Sequence, residues 1–255
     1  MNTVELVVQF ELEDMRRKQF EFEDRLKPLL QAESRSLDNL MHPPNVPSNR
    51  RPRWAVTKGE KMLIATDTTL DLTLNFHDAH PQDGVLAVVS KHASVIDEAV
   101  GALLPPEKIR LAGCVVTVNF SYEGPQEDVE DDIARMLLKA PPLGKINSAN
   151  VAVGYRGRSD FPDFNFNYTA NGYVMFNVTV DPTSGPLVAS PIDVDRADPK
   201  ERGLQIRVDV NDRDVGSEGP AAAHRLTTLI PACRDALISG LQEFLQDDSV
   251  VVADL

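Results

Sequence analysis

Apolar and polar residues alternate without a break from Leu70 to Phe76: Leu70, Leu72, Leu74 and Phe76 share one parity, and Asp71, Thr73 and Asn75 share the other. This period of two predicts a strand with one buried and one wet face. Two shorter runs precede it. Trp54 and Val56 lie on one face, "TKGE" turns, Met62 and Ile64 alternate back, and "TDT" turns again. The three runs read as an antiparallel meander. Upstream, Val4–Phe10 reads as a strand. Met15, Phe22, Leu26 and Leu29 then recur at helical spacing, with Pro28 ending or bending the helix. "MHPPNVPSNRRP" is a Pro-rich connector. Downstream, Ser94 is a candidate N-cap for a helix carrying Val95, Ile96, Ala99, Val100 and Leu103, stopped at Pro105 and Pro106. Ala112–Phe120 is apolar on both faces at Val115 and Val116, which predicts a central strand.

The same grammar continues beyond Tyr122. "QEDVEDDIARMLLKA" predicts a helix with acids at its positive end. Strands follow at Ile146–Tyr155, Phe161–Thr169 and Tyr173–Val180. Asn171-Gly172 between the last two is the strongest short hairpin signal. Asp181–Gly203 reads as a loop, Leu204–Val210 as a strand. From about Pro220 a helix places Ala223, Leu226, Ile230, Cys233, Leu237, Leu241 and Phe244 on one face, with a bend at Pro231. The expected class is α+β: two similar halves, 1–121 and 122–255, each a mostly antiparallel sheet backed by amphipathic helices, or one continuous domain.

Charge narrows the function. With 39 Asp and Glu against 26 Lys and Arg, the formal charge is −13. Such a chain repels phosphate backbones, which disfavours direct nucleic-acid binding, and it suits a basic protein partner. Cys114 and Cys233 sit in separate apolar runs and read as buried free thiols. Glu5 stands where a secretory leader needs a basic region, and no apolar run reaches membrane-spanning length, so the expected location is cytoplasmic, without membrane association.

Candidate chemistry is sparse. His77 and His80, with Asp78 and Asp83, form the one metal-like cluster. They follow a strand end beside a proline with no third imidazole near in sequence, so neither a metal nor a cofactor is expected. Asp193, Asp195, Asp198, Asp209, Asp212 and Asp214 miss the glycine and glutamate positions of a calcium loop and read as a solvated loop. "GYRGRSD" lacks the helix that a backbone-clamping Gly-x-x-Gly loop needs, and reads as a basic hairpin turn. Nucleophile-elbow, phosphate-loop, dinucleotide and zinc-protease motifs are absent, and the balance leans away from an enzyme. Two charged clusters remain as partner-binding candidates: Glu127, Asp128, Asp131 and Asp132 at the acidic helix start, and Arg50, Arg51 and Arg53 beside Trp54.

"RPRWAV", "KMLIATD", "LDLTLNF", "VTVNFS", "LQIRVDVND" and the long terminal helix stand in an order that resembles a sporadically distributed family of uncharacterised prokaryotic proteins of similar length. Ala65 and Phe76 depart from its usual Gln and Trp. The resemblance supports the fold, transfers no catalytic residue, and implies a setting among defence or toxin–antitoxin modules. The expectation from the sequence is therefore a non-enzymatic accessory subunit that binds a protein partner and is capable of oligomerising. A small-ligand or nucleotide-binding domain is the alternative, and a metal-dependent hydrolase built on His77 and His80 a weaker one.

Overall fold

The computed structural model describes residues 2–30, 35–36, 52–76, 84–121, 131, 150–158, 160–176, 199–213 and 225–241. Nine strands form one sheet: β1 (Asn2–Phe10), β2 (Arg35–Ser36), β3 (Trp54–Lys58), β4 (Lys61–Ala65), β5 (Thr69–Phe76), β6 (Ile109–Ser121), β7 (Asn150–Arg158), β8 (Phe161–Phe176) and β9 (Pro199–Asn211). The spatial order is β2-β3-β4-β5-β1-β6-β9-β8-β7, and every neighbouring pair is antiparallel. The α-helices described over their length are α1 (Met15–Leu30), α2 (Val85–Leu103) and α3 (Arg225–Asp235), the last running on into a wider π turn at Ala236–Gly240. This is a mixed α+β chain dominated by its sheet.

Alternation decides which face is buried. Val4, Leu6 and Val8 of β1 meet Leu70, Leu72 and Leu74 of β5 on one side and Ala112, Cys114 and Val116 of β6 on the other. These residues join Met15, Phe22 and Leu26 of α1, Val89, Ile96 and Val100 of α2, and Leu226, Leu229 and Leu237 near the C-terminus in one continuous core. The three helices therefore share one face of the sheet. β6 is buried on both faces, with Val115 and Val116 each almost inaccessible, as expected of a strand at the centre.

Several sequence expectations shift. In β4 it is Leu63 and Ala65, not Met62 and Ile64, that face the core, because Val56 pairs with Leu63 and Trp54 with Ala65. A one-residue change of parity swaps the whole set of inward side chains. α2 begins at Val85, nine residues before Ser94, which lies mid-helix. Val85, Val89, His92 and Ala93 extend the apolar stripe of Ile96 and Val100 one turn after another, and Gly84 at φ 78° supplies the break. α1 continues through Pro28 to Leu30, and α3 through Pro231.

The expected Asn171-Gly172 hairpin does not form. β8 runs straight through it, with Asn171 paired to Asn150 and Gln205 and Gly172 to Leu204. Pairing on both sides outweighs the local turn preference. The reversal from β7 into β8 occurs at the "GYRGRSD" segment, as its reading as a hairpin turn expects, where Gly157 has φ 73° and a Cβ would meet the Pro162 carbonyl at 2.7 Å. Cys114 and Cys233 are both buried free thiols, as read, and they are neighbours. The Cys114 thiol, together with burial, pushes the Cys233 pKa well up.

Candidate functional site

Arg53 and Trp54 are the predicted partner residues that the structure describes in full. Asp131 is helical and half-buried, whereas Glu127, Asp128, Asp132, Arg50, Arg51, His77 and His80 lie outside the described residues. Trp54 is fully buried, so its ring is a core element and not a contact surface. Its Nε1–H has no hydrogen-bond partner among the described residues, a penalty that the packing of the indole offsets. Arg53 folds its guanidinium onto Asp67 through Nε (2.8 Å) and Nη2, tying the start of β3 to the β4–β5 turn. That turn is held locally as well, since Thr66 Oγ1 accepts from the backbone N–H of Thr68 and Thr69.

Arg53 and Asp67 line a groove of about 430 Å3 with Leu12, Glu13 and Asp14. Its charges are matched at home. Glu13 receives Lys108 and Lys18, Asp14 pairs with Arg17, and Glu11 with Arg110. The Lys108 hydrogen bond holds the Glu13 carboxyl below its ordinary range; burial opposes this and Lys18 adds to it. A groove of satisfied ion pairs clamps the β1–α1 connection to the meander. It offers little unspent charge to a partner.

The sheet face away from the helices is different. Across β5, β1, β6, β9 and β8, one row reads Thr73, Glu5, Val115, Asp209 and Asn167, and the next reads Asp71, Val7, Gly113, Asn211 and Asn165. Glu5, Asp71 and Asp209 are half-buried, while Val115 and Asn211 between them are buried. Burial raises the Asp71 carboxyl pKa, a 2.9 Å hydrogen bond from Thr69 Oγ1 lowers it, and the Glu5 charge raises it again. Arg207, half exposed, approaches Glu5 at 3.8 Å. Amides orient one another around the carboxylates: Asn165 Nδ2 donates to Asn211 Oδ1 (3.4 Å), Asn211 Nδ2 to Asp209 Oδ1 (2.9 Å) and Gln205 Nε2 to Asn119 Oδ1 (3.0 Å). Such a face can accept hydrogen bonds from cationic side chains at fixed positions.

Two buried carboxylates serve the fold. Asp97 of α2 accepts from the N–H groups of Leu226 (3.1 Å) and Thr227 (2.8 Å) and from Thr227 Oγ1 (2.8 Å), capping the start of α3 from a neighbouring helix. Asp212 accepts from Ala112 N–H (2.7 Å) and Arg225 Nε (2.5 Å), and Arg225 Nη1 reaches the Ile109 carbonyl (2.8 Å). Asp97 is a structural acceptor that periodicity alone does not single out. Its signal was there: a charged residue on the apolar stripe between Ile96 and Val100. Asp212, expected in a solvated loop, is only 3% exposed.

No helix among the described residues is long and apolar enough to cross a membrane, and none of their His, Cys, Asp and Glu side chains form a group of three or more fit to hold a metal ion. No family model, curated protein or solved structure matches the chain.

Proposed function

We propose that the chain is a non-enzymatic interaction subunit that binds a basic protein partner on the sheet face bearing Glu5, Asp71 and Asp209. The observation that carries this reading is the placement of the three helices described above: they cover the apolar face, and among the described residues the other face bears Glu5, Asp71 and Asp209 in adjacent rows. Burial and the Glu5 charge raise the Asp71 carboxyl, so Asp71 is held ionised at a cost that a partner's Lys or Arg would relieve. The acidic segment with Glu127, Asp128, Asp131 and Asp132 extends the same charge preference.

The strand order also supports reading the chain as two similar halves. Outward from the centre it runs β1-β5-β4-β3 on one side and β6-β9-β8-β7 on the other. A cytoplasmic defence or toxin–antitoxin setting rests on the family resemblance alone. The groove at Arg53 and Asp67 has the volume of a small-ligand site and supports the alternative reading, but its paired charges fit a structural clamp better.

The test compares wild type with a Glu5→Gln, Asp71→Asn, Asp209→Asn variant, and with Glu21→Gln, Glu98→Gln as a charge control on exposed helix positions. Cross-linked complexes from a native lysate are mapped by mass spectrometry. The expected captured protein is basic, cross-links to β1, β5 and β9, and associates about tenfold more slowly in the triple variant, with a steep salt dependence. Capture that is unchanged in the triple variant, or lost equally in the control, would refute the assignment.

A further inference from the structure

Lys61 opens β4 on the parity of Leu63 and Ala65, so its side chain runs beneath α2 and not toward the opposite face. Its Nζ lies 3.0 Å from Nε2 of His92, which is 5% exposed on the buried stripe of α2. The other ring nitrogen, Nδ1, is 2.7 Å from the Val88 carbonyl oxygen. A carbonyl only accepts, so Nδ1 carries the proton and Nε2 presents a lone pair to the lysine. Lys61 thus donates to a neutral ring, and among the described residues it makes no ion pair.

The surroundings oppose a charged amine. Burial pushes the Lys61 ammonium below its ordinary value, and the charges of Lys58 and Lys91 act in the same direction. Burial also lowers His92; the Val88 hydrogen bond raises it, and Lys61 and Lys91 lower it further. The β3–β4 turn contributes Lys58 and Glu60, α2 contributes Lys91 and His92, and β5 places Leu74 opposite Lys61. An amine that has no counter-ion among the described residues, is partly desolvated and is fixed on a neutral acceptor is in the setting in which lysine becomes a nucleophile.

We propose that Lys61 is a reactive amine that condenses with a small anionic carbonyl compound, an aldehyde or ketone bearing a carboxylate or phosphate. Lys58 and Lys91, both exposed beside it, attract the anionic group. The Nζ lone pair bonds to the carbonyl carbon as the C=O π pair moves to oxygen. One nitrogen proton passes by way of His92 Nε2 to that oxygen, giving a carbinolamine. The hydroxyl then leaves with the second nitrogen proton as water, and the nitrogen lone pair closes the C=N bond. One amine and one carbonyl give one imine and one water, with no change of oxidation state. His92 is a positioning residue that holds Nζ and relays its proton. The site lies on the helix side of the sheet and is independent of the partner-binding face.

The experiment treats the full chain with glyoxylate and cyanoborohydride, which traps the imine as a carboxymethyl adduct, and maps labelled peptides against pH. Near neutrality Lys61 should be labelled about threefold or more faster than Lys58 and Lys91. Each unit of pKa depression raises the neutral amine fraction about tenfold, while intrinsic nucleophilicity falls by less. Its rate should also level off at a lower pH than theirs. Acetaldehyde should show a smaller preference for Lys61. His92→Gln retains an acceptor and should keep most of the advantage, whereas His92→Leu removes the group that holds Nζ and relays its proton and should slow Lys61 labelling by about threefold or more, with the pH midpoint staying below that of its exposed neighbours because burial and the Lys58 and Lys91 charges remain. Equal labelling of the three lysines in wild type overturns the proposal whether or not the His92 variants fold. An equal preference with acetaldehyde overturns the anionic class.

Discussion

At the scale of single residues, the informative positions are polar side chains that break an apolar stripe. Asp97 interrupts the buried face of α2 because the first N–H groups of α3 need an acceptor there. Asp97→Ala should cost about 1–3 kcal/mol, measurable by denaturant unfolding, with Asp97→Asn milder because one oxygen remains. His92 and Asp71 make opposite pH statements. Burial lowers the folded pKa of His92 below 6.5, so the unfolded chain binds the extra proton, and stability falls as pH drops from 6.5 through the folded value. Asp71 is raised above 3.8 by burial, so its contribution is present below 3.8 and lost as pH rises through the folded pKa. Asp71→Asn should therefore raise the melting temperature at neutral pH, and on the proposed function it should weaken partner binding at the same time. A lower melting temperature would count against strain at that face.

At the scale of elements, local signals lost wherever a neighbour supplied stronger pairing. Asn171-Gly172 has the composition of a tight turn, yet β7 and β9 flank it and hold it extended. The end of α3 shows the reverse, a local irregularity that the tertiary structure needs. The π turn at Ala236–Gly240 presents the Ala236 carbonyl to the buried Tyr168 hydroxyl at 3.3 Å, and Gly240 lies so close that a Cβ there would overlap that hydroxyl. Gly240→Ala should destabilise by about 1–3 kcal/mol. Combined with Tyr168→Phe, the loss should be less than the sum of the two single effects, because removing the hydroxyl removes the clash. Strict additivity in thermal unfolding would show that the two residues do not act on each other.

At the scale of the whole molecule, the sheet crosses the middle of the chain without interruption: β1 pairs with β6, and β6 with β9. A fragment of residues 1–121 keeps β6 but loses the strand that covers its second edge, exposing a long apolar strand. It should aggregate, whereas the full chain should melt in one transition; a monomeric 1–121 fragment with dispersed amide resonances would contradict this. What the sequence determined by itself follows from periodicity. The inward leucines of β5, the buried stripe of α1 and the central place of β6 were all legible, because burial imposes a repeat of two on strands and one near four on helices. The parity of β4, the straight course of β8, the meeting of Cys114 with Cys233 and the approach of Lys61 to His92 were decided only by tertiary structure. Each depends on which strand or helix becomes a neighbour, and the spacing of residues within one element carries no information about its partner.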